Sequence, residues 1–257
     1  MKPILIVGHP GHELRISGWV KKYQPEIVML TQGDGAAGQP RLQDSEELLK
    51  KMDVKIRTDW LEPIPDSEIY QALLGYQASP LPKWLQQLYN QLKNEEDVLI
   101  VADQAEGYNP THEVCRILAN KLAASLETAG VKVTNLEFPL MGHPCPSDRK
   151  SDVQMMLSLS ETELKDKIET GLDYARKSSP RLVEEINEAL NLFGEAVFAT
   201  ECLYSGQATI YEAGCLPDKK PHFETVGEER LANGVYKEVI RAKNLHSMVA
   251  ELNTNKL

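Results

Sequence analysis

Continuous apolar runs define the predicted strands of this chain. Four such runs lie at residues 3–8, 26–32, 97–103 and 131–138. Because apolar and polar residues do not alternate within them, they are typical of parallel strands covered on both faces. A weaker run at residues 54–59 predicts a fifth strand.

Helical periodicity occupies the segments between these runs. Predicted helices cover residues 11–23, 41–53, 81–93 and 110–129. The last is the best defined, because Asn109 suits the N-cap, Pro110 the first helical position and Gly130 the C-terminal stop. Alternating strands and helices predict a mostly parallel sheet with right-handed crossovers.

The C-terminal third has a different pattern. Ser160 and Glu163 have the spacing of a capping box at the start of a helix. Residues 139–152 are rich in proline and polar residues, which predicts a long loop. Residues 196–216 are strand-like or irregular. Helices are predicted over residues 160–177, 181–194 and 226–252.

Together these elements predict one α/β domain over residues 1–257. Its core, about residues 1–140, is expected to be a Rossmann-like, mostly parallel sheet flanked by helices. Residues from about 150 to 257 are expected to form a C-terminal helical extension.

Charge and cysteine content narrow the possible partners and compartments. The net charge of −10 and the absence of a basic stripe argue against nucleic acid as a partner. The run after Met1 is too short for a signal peptide or a membrane span, so we expect neither. The cysteines are scattered and include no C-x-x-C pair, which predicts reduced thiols in a cytoplasmic protein. They are Cys115, Cys145, Cys202 and Cys215. Cys115 is expected in the core, because it falls within an apolar helix.

Histidines follow two of the predicted strands. His9 and His12 come after the first strand, and His112 lies in the first turn of the helix after the strand at residues 97–103. If these strands are neighbours, the three imidazoles converge at one sheet edge, where open parallel sheets bind ligands. Three protein ligands with an open position are typical of catalytic zinc. The alternative is that each histidine is an ordinary loop or capping residue.

Other polar residues follow the same strand ends. Asp103, Glu106, Tyr108 and Asn109 precede His112, His143 follows the fourth strand, and Asp34 lies in the Gly-rich turn at residues 33–38. That turn lacks the Lys-Ser/Thr of a P-loop. The glycines at positions 8 and 11 lack the third glycine of a dinucleotide-binding fingerprint.

Three segments resemble one known family. A strand ending in GHPGHE (residues 8–13), a second ending in LTQGDGAAG (residues 30–38) and a later YNPTH (residues 108–112) resemble the LmbE-like (PIG-L) N-deacetylases. The resemblance covers about residues 3–140. It implies a Rossmann-like fold and zinc-dependent removal of acetyl groups from N-acetylglucosamine-type amino sugars.

The resemblance also implies site residues. The family's metal ligands fall on His9, His12 and His112, with histidine at position 12 where the family has aspartate. Imidazole can replace carboxylate on zinc, so a three-histidine site is chemically sound. Glu13 matches a family glutamate, and Arg41 resembles a family arginine near the sugar.

This chain departs from the family pattern at the residues that transfer the proton and stabilise the oxyanion. The family's general base falls on Gly11, and its oxyanion-stabilising histidine falls on Asn109. Either Asp103 or Glu106 supplies the base, or His12 is the base and only two protein ligands remain. Asn109 or Tyr108 would then steady the oxyanion. Arg41, Asp34, Tyr108 and His143 are the predicted substrate-binding residues.

These residues lead to one expected function and two alternatives. We expect a zinc-dependent, or otherwise divalent-metal-dependent, hydrolase that deacetylates an N-acylated amino sugar or glycoconjugate. The first alternative is a non-catalytic sugar-binding descendant that has lost the base. The second is removal of a one-carbon acyl group at the same site. The sequence leaves a homo-oligomer open.

Overall fold

The computed structural model describes residues 1–35 and 38–254, which form an α/β fold around one mixed sheet. The strand order is β2-β1-β3-β4-β6-β5. The strands are β1 Lys2–Val7, β2 Glu26–Met29, β3 Asp97–Asp103, β4 Lys132–Phe138, β5 Val153–Ser158 and β6 Thr200–Ser205. The helices are α1 Ser17–Tyr23, α2 Leu42–Lys50, α3 Asp66–Leu74, α4 Leu81–Leu92, α5 Pro110–Thr128, α6 Glu161–Ser178, α7 Pro180–Phe193, α8 His222–Ala232 and α9 Ala242–Thr254.

The first four strands are parallel, and β1, β2 and β3 are buried along most of their length. In β1, Ile4 and Ile6 belong to one hydrophobic cluster, whereas Leu5 and Val7 belong to the cluster on the other face of the sheet. Side chains alternate between the faces of a strand, so a continuous apolar run serves two cores. Burial of each such side chain stabilises the fold by about 1.5–3 kcal/mol. The predicted parallel sheet is therefore confirmed.

The helix before the candidate site begins where the sequence predicts. Asn109 caps α5, because its side-chain oxygen accepts a hydrogen bond from the Thr111 N–H at 2.8 Å. Pro110 occupies the first turn. At the start of α6, Ser160 and Glu163 form the predicted capping box. These caps satisfy N–H groups that a helix start leaves without partners.

The C-terminal part differs from its prediction in several elements. β5 and β6 extend the sheet with antiparallel strands, and β5 was not predicted. The predicted helix at residues 226–252 is two helices, α8 and α9, because Gly234 has a φ of +69°. Residues 54–59 provide only an isolated bridge from Ile56 to Ile27. Helix α3 lies in a segment without a prediction.

The prediction that all cysteines are reduced is wrong. Cys145, in the loop after β4, forms a disulfide with Cys202 on β6. The two residues are 57 positions apart in the sequence, and the antiparallel pairing of β6 with β4 places β6 beside the strand that this loop follows. Cys115 is a buried free thiol in the core, as predicted. None of the helices in the described ranges combines the length and apolar character needed to cross a membrane.

Candidate functional site

Three histidines meet at the carboxyl edge of the sheet. β1 pairs with β3 in parallel, so the segments after these strands lie side by side. His9 follows β1, His12 begins a 3₁₀ helix, and His112 lies in the first turn of α5. The ring centroid of His9 lies 5.3 Å from that of His12 and 5.5 Å from that of His112. The centroids of His12 and His112 are 4.7 Å apart. The expected convergence is present.

His12 is held by a buried carboxylate. Its Nδ1 lies 2.8 Å from Asp103 Oδ2, and the same oxygen accepts the Gly8 N–H at 2.7 Å. Because the carboxylate accepts, Nδ1 carries the proton, and Nε2 of the neutral ring has a free lone pair. Burial lowers the pKa of His12 more than the Asp103 carboxylate raises it, which favours the neutral ring.

His9 has the same tautomer. Its Nδ1 lies 2.8 Å from Thr31 Oγ1, whose own hydrogen is donated to the Gly8 carbonyl at 2.9 Å. Thr31 can therefore only accept from His9, as can Asp66, whose Oδ1 is 3.3 Å from Nδ1. The nitrogen of His9 left for a ligand is Nε2, a buried atom with no hydrogen-bond partner in the described part of the chain.

His112 is also neutral and incompletely bonded. Burial, and then the charges of His12 and His9, lower its pKa well below the usual value. Its Nδ1 is buried and lacks a hydrogen-bond partner among residues 1–35 and 38–254. A buried polar atom without a partner costs about 1–3 kcal/mol, so a cluster of such nitrogens calls for an explanation.

The donor set and the ring spacing fit one shared zinc ion. Three imidazoles on a tetrahedral zinc place their centroids about 5 Å apart, given Zn–N distances of about 2.0–2.1 Å. In the described residues, however, no three His, Cys, Asp or Glu side chains are already arranged around one metal position. An arrangement around one ion requires rotation of the rings from the positions seen here, and the torsion about the Cβ–Cγ bond of histidine has a broad profile.

The predicted substrate-binding residues Asp34 and Arg41 lie around the Gly-rich turn. Asp34 accepts a hydrogen bond from the Asp66 N–H at 2.7 Å, and Arg41 Nε donates to the Gly33 carbonyl at 2.8 Å. The charge of Arg41 contributes to lowering the pKa of His12, so it acts at the cluster. Ala36 and Ala37 of this turn lie outside the described residues.

Glu106 lies on the loop between β3 and α5. Its carboxylate accepts hydrogen bonds from the N–H groups of Leu140 and Met141, each at 3.0 Å. Burial raises the pKa of Glu106 to about 7. It lines a cavity of about 920 Å³ together with Glu113 and His222. Burial likewise raises the pKa of Glu113 to about 7.

Tyr108 lies between His222 of this cavity and His112, and His143 lies in the loop after β4. The Tyr108 ring stacks on His222 at 4.8 Å between centroids and lies parallel to His112 at 6.3 Å. His143 accepts the Cys145 N–H at 2.9 Å and packs against Phe193. These contacts give His143 a role in shaping the loop after β4.

Some residues of the site were missed by sequence reasoning. Thr31 directly follows β2 and orients His9, so its position at a strand end was an available signal. Asp66, at the start of α3, had no such signal because that helix was not predicted. Ser45 and Tyr174, described below, are brought in by tertiary packing.

No family model, no curated protein and no solved structure matches this chain at a significant level.

Proposed function

We propose that this chain is a zinc-dependent amide hydrolase of the N-deacetylase type that its motifs resemble. The supporting observation is the cluster of three imidazole rings within 5.5 Å of one another at the carboxyl edge of the sheet, two of which have a buried nitrogen without a hydrogen-bond partner in the described residues. His9, His12 and His112 would hold the ion. When bound, zinc supplies a Lewis acid that polarises a carbonyl and lowers the pKa of water to about 7.

The surrounding residues divide into orienting and reacting groups. Asp103 was one of two candidate bases, but it is fully buried and already accepts from His12 and Gly8. We therefore assign Asp103 and Thr31 to orienting the ligand rings, as outer-shell partners do in metal sites. Glu106 also accepts two hydrogen bonds, but it is only half-buried and lines the cavity, where water can reach it. It remains the proposed base, and a pKa of about 7 suits proton transfer at neutral pH.

The oxyanion and substrate assignments follow the same geometry. Asn109 uses its side-chain oxygen for capping, and its NH₂ group hydrogen-bonds to the Tyr70 side chain. An amide NH₂ has two N–H donors, so the second is proposed to donate to an oxyanion. Tyr108, Arg41 and Asp34 lie around the cluster and are proposed to bind an N-acylated amino sugar or glycoconjugate. The Cys145–Cys202 disulfide argues against the expected cytoplasmic location, since cytosolic disulfides are rare.

One observation favours a second candidate, a non-catalytic sugar-binding protein. Position 11, where the family has its base, is glycine and therefore offers no proton acceptor. A protein that only binds a sugar needs the histidine cluster or the cavity lined by Glu106, but it needs no general base. Zinc and sugar binding without acetate release would support this candidate.

The metal site is tested by measuring the zinc content of the purified protein. We expect close to one zinc per chain, and loss of zinc in His9→Ala and His112→Ala. His246→Ala on α9 is the matched control and should retain zinc. A wild-type protein that remains free of metal after zinc-replete expression would contradict the proposal.

The reaction is tested by acetate release from N-acetylglucosamine conjugates. Glu106→Gln should lower kcat by about 10²–10⁴-fold, the usual contribution of a general base. Glu113→Gln is the matched control, since Glu113 has a similar pKa and lines the same cavity. Unchanged turnover in Glu106→Gln would exclude this residue as the base.

A further inference from the structure

The place of the missing side chain at position 11 is filled by a tyrosine from the C-terminal part. Gly11 has a φ of +103°, and a Cβ atom there would lie 3.0 Å from Tyr174 Cε1 and 3.2 Å from its hydroxyl oxygen. Tyr174 lies on α6 and is buried. Its ring therefore packs directly against the turn that joins His9 to His12.

The hydroxyl group of Tyr174 is connected to the same turn by hydrogen bonds. Ser45 Oγ lies 3.2 Å from the Tyr174 hydroxyl and 2.6 Å from Glu13 Oε1. The other oxygen of Glu13 accepts the Gly11 N–H at 2.8 Å. Tyr174, Ser45 and Glu13 are all buried, so water does not compete with these bonds. Hydrogen bonds therefore connect the Tyr174 hydroxyl through Ser45 and Glu13 to the Gly11 N–H, while the Tyr174 ring contacts the same residue directly.

We propose that Tyr174 is a positioning residue of the three-histidine site. It supports the His9–His12 turn from one side with its ring and fixes the Gly11 N–H through Ser45 and Glu13. The turn itself has few bonds of its own, notably a long one from the His12 N–H to the His9 carbonyl at 3.4 Å. Contacts from outside are therefore needed to hold His9 and His12 in their relative positions.

Tyr174 acts in this proposal as a neutral hydrogen-bonding group. Burial, followed by the charge of Glu13, raises the pKa of Tyr174, so the phenol keeps its proton and is unsuited to replace the absent base. The consequence is that α6 belongs to the site. The metal part of this inference rests on the proposed function, whereas the support of the turn does not.

The support of the turn is tested in the metal-free protein by amide hydrogen exchange. Tyr174→Phe keeps the ring and removes the hydroxyl, and Ser45→Ala removes the bridge. We expect the Gly11 N–H to exchange about tenfold faster in both variants, as expected for loss of one hydrogen bond. Tyr204→Phe is the matched control, because its buried hydroxyl has no hydrogen-bond partner in the described ranges. Wild-type exchange at Gly11 in both test variants would overturn the proposal.

The effect on metal binding is tested with zinc itself. Loss of an outer-shell partner costs about 10–100-fold in metal affinity, so we expect the zinc Kd of Tyr174→Phe to rise about tenfold. The visible spectrum of the cobalt-loaded variant should shift, while its Tm stays near that of Tyr204→Phe. Faster exchange with an unchanged zinc Kd would overturn the metal part alone. If wild-type protein binds no zinc, the proposed function fails, and amide exchange still decides whether Tyr174 supports the turn.

Discussion

Gly11 is constrained both by its backbone conformation and by the side chain packed against it. Its φ of +103° disfavours any residue with a Cβ, and the Tyr174 ring occupies the space that a Cβ would need. We expect Gly11→Ala to lower the free energy of unfolding by about 2–4 kcal/mol, the sum of backbone strain and overpacking. Urea denaturation provides the measurement.

Gly130→Ala is the control for the backbone contribution. Gly130 also has a positive φ, of +87°, but nothing lies within 4 Å of the place of its Cβ. Its substitution should therefore cost only the strain, about 1–2 kcal/mol. Equal losses in the two variants would show that Tyr174 does not crowd position 11.

Thr31 is the nearer of the two groups that accept from His9 Nδ1, at 2.8 Å against 3.3 Å for Asp66. Thr31→Val removes the oxygen that accepts from His9 Nδ1 and keeps the side-chain shape. We expect the ring to populate both tautomers, seen in ¹⁵N NMR spectra of the imidazole, and the zinc affinity to fall about 10–100-fold. Thr31→Ser keeps the hydroxyl and should behave like wild type. A single Nδ1–H tautomer in Thr31→Val would mean that Asp66 alone fixes the ring.

The loops after β3 and β4 are joined through a carboxyl group that titrates near neutral pH. Because burial raises the pKa of Glu106 to about 7, the folded protein retains a proton between pH 4.5 and 7 that the unfolded chain has lost. The stability contributed by this proton is present at low pH and is lost as the pH rises towards 7. Above that range the effect is constant.

Glu106→Gln should remove this pH dependence. Glutamine can still accept from Leu140 and Met141 through one oxygen, so the variant should match wild type near pH 5 and exceed its stability by roughly 1–2 kcal/mol above pH 7.5. Urea denaturation at several pH values measures the difference. Parallel stability curves for the two proteins would show that Glu106 ionises normally.

Elements marked by a pattern within their own sequence were predictable. Elements that depend on contacts with other parts of the chain were not. β1 and β3 are continuous apolar runs, and Asn109-Pro110 marks the start of α5, so the convergence of His9, His12 and His112 followed from parallel pairing. β5 is a short edge strand whose side chains alternate between half-buried and exposed, which leaves no continuous apolar run to detect. Tyr174 reaches Gly11 only because α6 packs against the core.

At the scale of the whole molecule, the C-terminal segment completes both the sheet and the site. β5 and β6 continue the sheet beyond β4, and α6, between them, delivers Tyr174 to Gly11. The loop after β4 connects these parts, because its carbonyl groups at Pro139 and Gly142 accept from Arg15, which follows His12 closely. Its far end is joined to β6 by the Cys145–Cys202 disulfide.

This arrangement predicts that the disulfide stabilises the molecule as a whole. It closes a segment of 57 residues that contains β5, α6 and α7. The chain-entropy relation for such a loop gives about 4 kcal/mol, so the double variant Cys145→Ser/Cys202→Ser should lose roughly that free energy of unfolding. Cys215→Ser, at an exposed free thiol, is the matched control and should change stability by less than about 0.5 kcal/mol. Wild-type protein treated with a dithiol reductant should unfold at the same urea concentration as the double variant. If the double variant and the reduced protein unfold at the same urea concentration as the untreated wild type, the sheet alone holds the C-terminal segment in place. Tyr174 would then keep its position against Gly11 without the disulfide.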